Sequence, residues 1–147
     1  MDLQDLSTNC DFNEPGSVVM AFIGAMNLWE IESWQASQAA SEAGTPAAYL
    51  EEVNLNMSQV FQAFCTPKER KNGRQGSFQH PPQYDPQNEK IESDSIAKNG
   101  KKAFVETQRE AAFGGGAYRY TLTKPADRWL IDSVKRLRDE TWENAVL

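Results

Sequence analysis

The hydrophobic rhythm of the chain changes once, near residue 66. Before it, Val18, Phe22, Met26, Trp29, Ala36 and Ala40 recur mostly at three- and four-residue steps, the spacing of one face of an α-helix. Pro15 stands where a first-turn proline is tolerated. The pattern predicts a long amphipathic helix and is compatible with a break near Ser33. Ile23, Ile31 and Trp34 fall off the stripe, so this helix is apolar on more than one side and needs cover from another element or a partner. A second helix is predicted with Thr45 as N-cap and Pro46 following. Its apolar face is Tyr49, Val53, Met57, Val60 and Phe64; Glu51 points away from that face and Glu52 lies at its edge.

The run CTPKERKNGRQGSFQHPPQYDPQNE then carries four prolines and two glycines with little periodicity. It reads as an irregular connection, long for a plain loop, in which residues 77–79 can form a short strand. From Lys90 the apolar period falls towards two, in IESDSIA, KKAFVETQRE, AYRYTLTK and RWLIDSVKRL. Four antiparallel strands are expected, with Ala103/Val105/Thr107, Tyr118/Tyr120/Leu122 and Trp129/Ile131/Ser133 as alternating sets. Asn99-Gly100, residues 114–116 and Pro125-Ala126-Asp127 supply the breakers between them. Helices first and a meander afterwards make the fold class α+β.

At 147 residues and 39% hydrophobic content the chain is expected to form one domain, 1–147. Cys10 and Cys65 have neither the spacing of a zinc site nor that of a disulfide framework, which suggests reduced thiols in a cytoplasmic setting. The acidic N-terminus lacks a secretory pattern, and no stretch approaches the roughly 18 apolar residues of a membrane span.

Charge changes the picture more. The first 66 residues hold nine acids, Asp2, Asp5, Asp11, Glu14, Glu30, Glu32, Glu42, Glu51 and Glu52, and no base. The other 81 hold twelve acids and all fifteen bases, so the net −6 hides a polarised molecule. A single-sign surface repels nucleic acid and steers a basic partner.

Candidate chemistry is sparse. His80 is the only histidine and lacks companions for a metal centre or a triad. Lys68, Arg70, Lys71 and Arg74 resemble a phosphate patch, with Phe78 and Tyr84 as the nearby stacking residues, but a solvated loop or one leg of a partner surface fits an acidic domain better. Residues 114–116 lack the pattern of a phosphate cradle. Trp29 and Trp129 are expected in the core, whereas Trp34 and Trp142 are available to pack on each other or to anchor a partner.

The helical first third, the proline-rich crossing and the terminal YRYTLTKPADRWLIDSVK resemble the cone-shaped fold of nuclear-transport-factor-2-like domains, N-terminal helices packed on a curved antiparallel sheet. More narrowly, PGSVVMAFIGAMNLWE, FCTPKER at 64–70, PPQYDP at 81–86 and the last strand with Trp129 and Asp132 resemble the immunity proteins of that fold in bacterial polymorphic toxin systems. The resemblance implies a cytoplasmic protein without enzymatic activity or cofactor that binds and neutralises a cognate toxin domain. If the toxin attacks nucleic acid, Glu30, Glu32, Glu42, Glu51 and Glu52 would stand in for phosphates at its basic cleft, with Trp34 and Tyr84 as aromatic contacts; the alternative is that these acids are the solvated faces of two helices. By analogy with the superfamily, pairing through the outer sheet face would give a homodimer. The alternative carried by the same fold is a ligand-binding module, or an isomerase- or hydrolase-like site using a pocket carboxylate, for which Glu106, Tyr118, Tyr120 and Asp132 are the candidates.

Overall fold

Pro15 sits at the first turn of a 28-residue helix, α1 (Pro15–Glu42), that runs without interruption in the computed structural model of the chain, which describes residues 7–70, 77–110 and 115–147. The break expected near Ser33 is absent, because Ser33 is itself buried on the packed side and the helix has no reason to turn there. Past Ser33 only Ala40 is buried, so the last turns of α1 reach beyond the core and are free to carry polar side chains.

The helix ends in a tight C-terminal motif. Gly44 adopts φ 75°, a left-handed conformation that favours glycine. The Gly44 N–H donates to Ser41 O and the Thr45 N–H to Ala40 O, the paired bonds of a Schellman cap. Thr45 therefore closes α1; it does not cap the second helix, α2 (Leu50–Phe64), which begins after a turn at residues 46–49.

The two helices form an antiparallel hairpin. Phe22 packs edge-on against Phe61 with centroids 5.8 Å apart, while Trp29 donates its indole N–H to the Val53 carbonyl at 2.9 Å. As the number rises along α1 it falls along α2, which places the C-terminal half of one beside the N-terminal half of the other.

Five strands follow in a purely antiparallel order: β1 (Glu89–Ile96), β2 (Lys102–Arg109), β3 (Gly116–Thr123), β4 (Leu130–Arg138) and β5 (Thr141–Asn144). The sequence-based set lacks β5, whose residues show no buried alternation. Residues 77–79 are not a strand. Inward residues alternate as period two requires, through Ala103, Val105, Thr107 and Arg109 on β2 and Tyr118, Tyr120 and Leu122 on β3. On β4 the alternation breaks: Ile131 faces Leu122, Ser133 faces Thr121 and Val134 faces Tyr120. Asp132 is the extra residue of this bulge, so Val134 takes the buried place expected of Ser133.

The inner sheet face and the hairpin enclose one apolar cluster that includes Phe22, Met26, Trp29, Val60, Val105 and Ile131. Gly16 lets the first turn of α1 approach β1, since a Cβ there would stand 3.1 Å from Ile91 Cδ1. Expectations that rest on Asp2, Asp5, Lys71, Arg74 and Gly114 lie outside the described residues.

Candidate partner-binding surface and inner cavity

Met26, Trp29, Glu30 and Ser33 are spaced as one helix face, and all four are buried. Glu30 is thus an internal residue, 0% exposed. Its carboxylate accepts the backbone N–H of Gln79 at 3.1 Å and of Tyr84 at 2.9 Å. A buried carboxylate is tolerated when backbone donors satisfy it, and these two fasten the proline-rich segment to α1. Asn27 adds a second tie, its Nδ2 donating to the Tyr84 carbonyl at 2.8 Å. The Tyr84 ring is buried against Phe22, with centroids 5.6 Å apart. Glu30 and Tyr84, both expected to touch a partner, instead hold the fold together and present nothing to the surface.

The other expected contact residues are placed differently. Glu42, Glu51 and Glu52 are exposed, and Glu32 and Trp34 are half-buried. Trp34 stacks on His80, with ring centroids 3.8 Å apart and planes 9° from parallel, so its companion is the loop histidine and not Trp142. Trp142 lies under the Arg119 guanidinium at 4.2 Å, and Arg119 in turn pairs with Glu106 on the outer sheet face.

The hairpin register gathers the exposed acids. Glu42 ends α1, while Glu51 and Glu52 occupy the first turn of α2, where the helix dipole favours carboxylates. Leu55 lies four residues beyond Glu51 and three beyond Glu52, hence beside both on the helix surface, and it is 58% exposed. Leu50 is exposed as well. The patch combines carboxylates with uncovered leucines.

The FCTPKER segment has a structural task. Cys65 bridges to Ile131 in parallel fashion, and the Thr66 N–H donates to Ile131 O. Arg70 lies behind this join: Nη1 donates to the carbonyls of Thr66 and Lys68, and Nη2 reaches those of Ile131 and Asp132. Asp132 accepts from Thr66 Oγ1 and Lys68 Nζ, each at 2.9 Å. Partial burial would raise the Asp132 pKa, but these hydrogen bonds and the charges of Lys68 and Arg70 hold it below the usual carboxylate value.

The inner carboxylate that sequence reasoning missed is Glu89. It is fully buried and accepts from Thr107 Oγ1 at 2.7 Å, Tyr120 OH at 2.9 Å and Arg109 Nε at 2.8 Å. The Arg109 guanidinium is layered with aromatic rings, 5.1 Å from the Tyr84 centroid and 3.9 Å from that of Tyr118. Burial alone would lower the Arg109 pKa; Tyr120, Glu89 and Tyr84 outweigh it and raise it. Burial, with the Glu89 charge beside it, pushes the Tyr120 phenol well above its ordinary value. Parity along β2 carries the signal for this cluster, since Arg109 continues the inward series of Ala103, Val105 and Thr107.

The four candidates for a pocket enzyme do not converge. Tyr118 and Tyr120 are on the inner face, Glu106 is bound to Arg119 on the outer face, and Asp132 is held in the β4 bulge. Among the described residues no group of three or more His, Cys, Asp and Glu side chains could hold a metal ion, and no helix is long and apolar enough to cross a membrane.

Comparison with known proteins places this arrangement in a family. The NTF2 fold immunity protein family matches residues 14–145. The chain is 33% identical to the immunity protein RhsIA of Dickeya dadantii (strain 3937) over 136 residues, covering 90% of this chain and 95% of that protein. No solved structure shows a significant match. Two helices on a curved five-stranded antiparallel sheet are consistent with the same fold, and the chain belongs to the NTF2 fold immunity protein family.

Proposed function

We propose that this immunity protein binds a cognate toxin domain in the cytoplasm of the cell that makes it and neutralises the toxin by covering its active site. The contact surface is the far end of the helical hairpin, with Glu42, Glu51 and Glu52 at its centre and Glu32 and Trp34 on its flank. The observation that carries this reading is the exposed acidic first turn of α2 beside the uncovered Leu55, in a segment whose first 66 residues contain no base. A basic cleft, such as one that handles nucleic acid, is complementary to it. Opposite charge speeds encounter by about 10- to 1,000-fold at low ionic strength, and the leucine supplies apolar area that persists once the charges have met.

The reading is non-catalytic, and nucleic acid is not its direct ligand. Glu89, the inner carboxylate best placed for a pocket reaction, is enclosed and already accepts three hydrogen bonds, which favours a structural task over general-base work.

Co-expression with the toxin domain encoded beside the chain tests the proposal. Growth rescue together with co-purification is the expected result. An active toxin that is neither bound nor restrained would contradict it.

A further inference from the structure

The inner face opens at the β4–β5 end into a cavity of 510 Å³, a size usual for small-molecule sites, which span about 300–1,000 Å³. Its wall is basic in a chain of net charge −6. Among the described lining residues Arg109, Arg136 and Arg138 are cationic and Glu143 is the one carboxylate.

Strand register explains the gathering. Tyr118 pairs with Thr107 on one side and Arg136 on the other, and Arg138 follows Arg136 by two residues, on the same face. The Tyr118 ring has the Arg109 guanidinium 3.9 Å from its centroid and that of Arg136 at 5.8 Å. Two cations thus share one buried ring.

Their charge is only partly balanced. Glu89 neutralises Arg109 from behind the wall through Nε. Arg109, 2% exposed, has its Nη1 without a hydrogen-bond partner, and a buried donor left unsatisfied is a standing cost. Arg136 gives one N–H to the Gly115 carbonyl, a neutral acceptor. Arg138 meets Glu143 at 3.7 Å with both side chains more than half exposed, a loose pair of little strength.

We infer that this cavity binds a small anion bearing carboxylate or phosphate groups, held by Arg136 and Arg138 at the mouth, with the unpartnered Nη1 of Arg109 on the inner wall as a further donor. Planar guanidiniums recognise either oxyanion through charge-assisted, often bidentate hydrogen bonds. The lining amides Gln79, Gln83 and Asn144 suit the polar remainder of such a ligand. This site is on the sheet, apart from the helical acids, and stands whether or not those acids bind a toxin.

The test is thermal unfolding of the full chain titrated with sodium citrate and, separately, sodium pyrophosphate, against sodium chloride matched in ionic strength. A ligand that binds only the folded state raises Tm with a saturable dependence on concentration. A saturable rise with citrate or pyrophosphate that chloride does not reproduce is expected, and which of the two gives it assigns the oxyanion. Arg138→Glu, at an exposed position, should weaken that binding about tenfold or more, and the Arg136→Gln/Arg138→Gln double variant should abolish it. Should the double variant fail to fold, Arg138→Glu alone decides. No saturable rise with either anion, or an undiminished rise in Arg138→Glu, would overturn the inference.

Discussion

The Tyr84 N–H points into the carboxylate of Glu30 at 2.9 Å, joining the middle of the proline-rich segment to the middle of α1 across 54 residues of sequence. Glu30 is therefore a structural carboxylate. Glu30→Ala would leave the N–H groups of Gln79 and Tyr84 without their acceptor and should cost about 2–4 kcal/mol. Urea denaturation followed by tryptophan fluorescence measures it; a loss below 0.5 kcal/mol, about the noise of a surface change, would contradict the role.

The Glu89 cluster allows a graded test. Tyr120→Phe deletes one of three donors and should cost about 1 kcal/mol, whereas Glu89→Gln strands the Arg109 charge and should cost about 3–5 kcal/mol. Equal losses in the two variants would show that the ion pair adds nothing to the hydrogen bonds.

Much of this architecture is legible in the sequence, and the failures have physical causes. The α1 stripe and the period-two strands are readable because each buries one face. The Glu30 site follows the same logic, since Met26, Trp29, Glu30 and Ser33 share one helical face, although the charge of Glu30 by itself suggests a solvated position. Thr45 resembles an N-cap because a Schellman cap and an N-cap both use a residue just outside a helix, and only Gly44, immediately before it, marks which helix it serves. The bulge at Asp132 inserts one residue and shifts parity, so Ser133 and Val134 exchange places with no local sequence signal. Strand β5 is short and mostly exposed, and such a segment has no pattern to read. The cavity arises from residues on β2, β3, β4 and β5, the proline-rich segment and the stretch after β5, a convergence that exists only after the chain has folded.

Asp132 makes stability depend on acid. Its folded pKa is below the unfolded one because Thr66 and Lys68 donate to it, with Lys68 and Arg70 adding charge. Its contribution is present above the unfolded carboxylate value and is lost as pH falls through the lowered folded value. Denaturation midpoints from pH 7 down to pH 2 should decline less steeply in Asp132→Asn than in the parent. Parallel declines would contradict the assignment.

Burial pushes the Cys65 thiol up to about 12, and Cys10 is raised by the same cause to a lesser extent of burial. Thiolate is the reactive form, so a thiol-specific disulfide reagent at pH 8 should leave Cys65 unmodified in the native chain and label it on unfolding. Rapid labelling of Cys65 in the folded protein would show that the join between residue 65 and β4 opens readily.

The central claim, capture of a basic toxin by the acidic end of the helical hairpin, is tested most directly by stopped-flow association of the chain with its toxin domain at low and high salt. The parent and the Glu51→Lys/Glu52→Lys variant should be compared. The reversal should cost about 1–2 kcal/mol of stability through the α2 dipole and leave the fold intact. The account predicts that association of the parent slows steeply with salt, as screening shortens the reach of the carboxylates, and that the variant associates at least about tenfold more slowly at low salt. Equal rates for parent and variant, unchanged by salt, would contradict it.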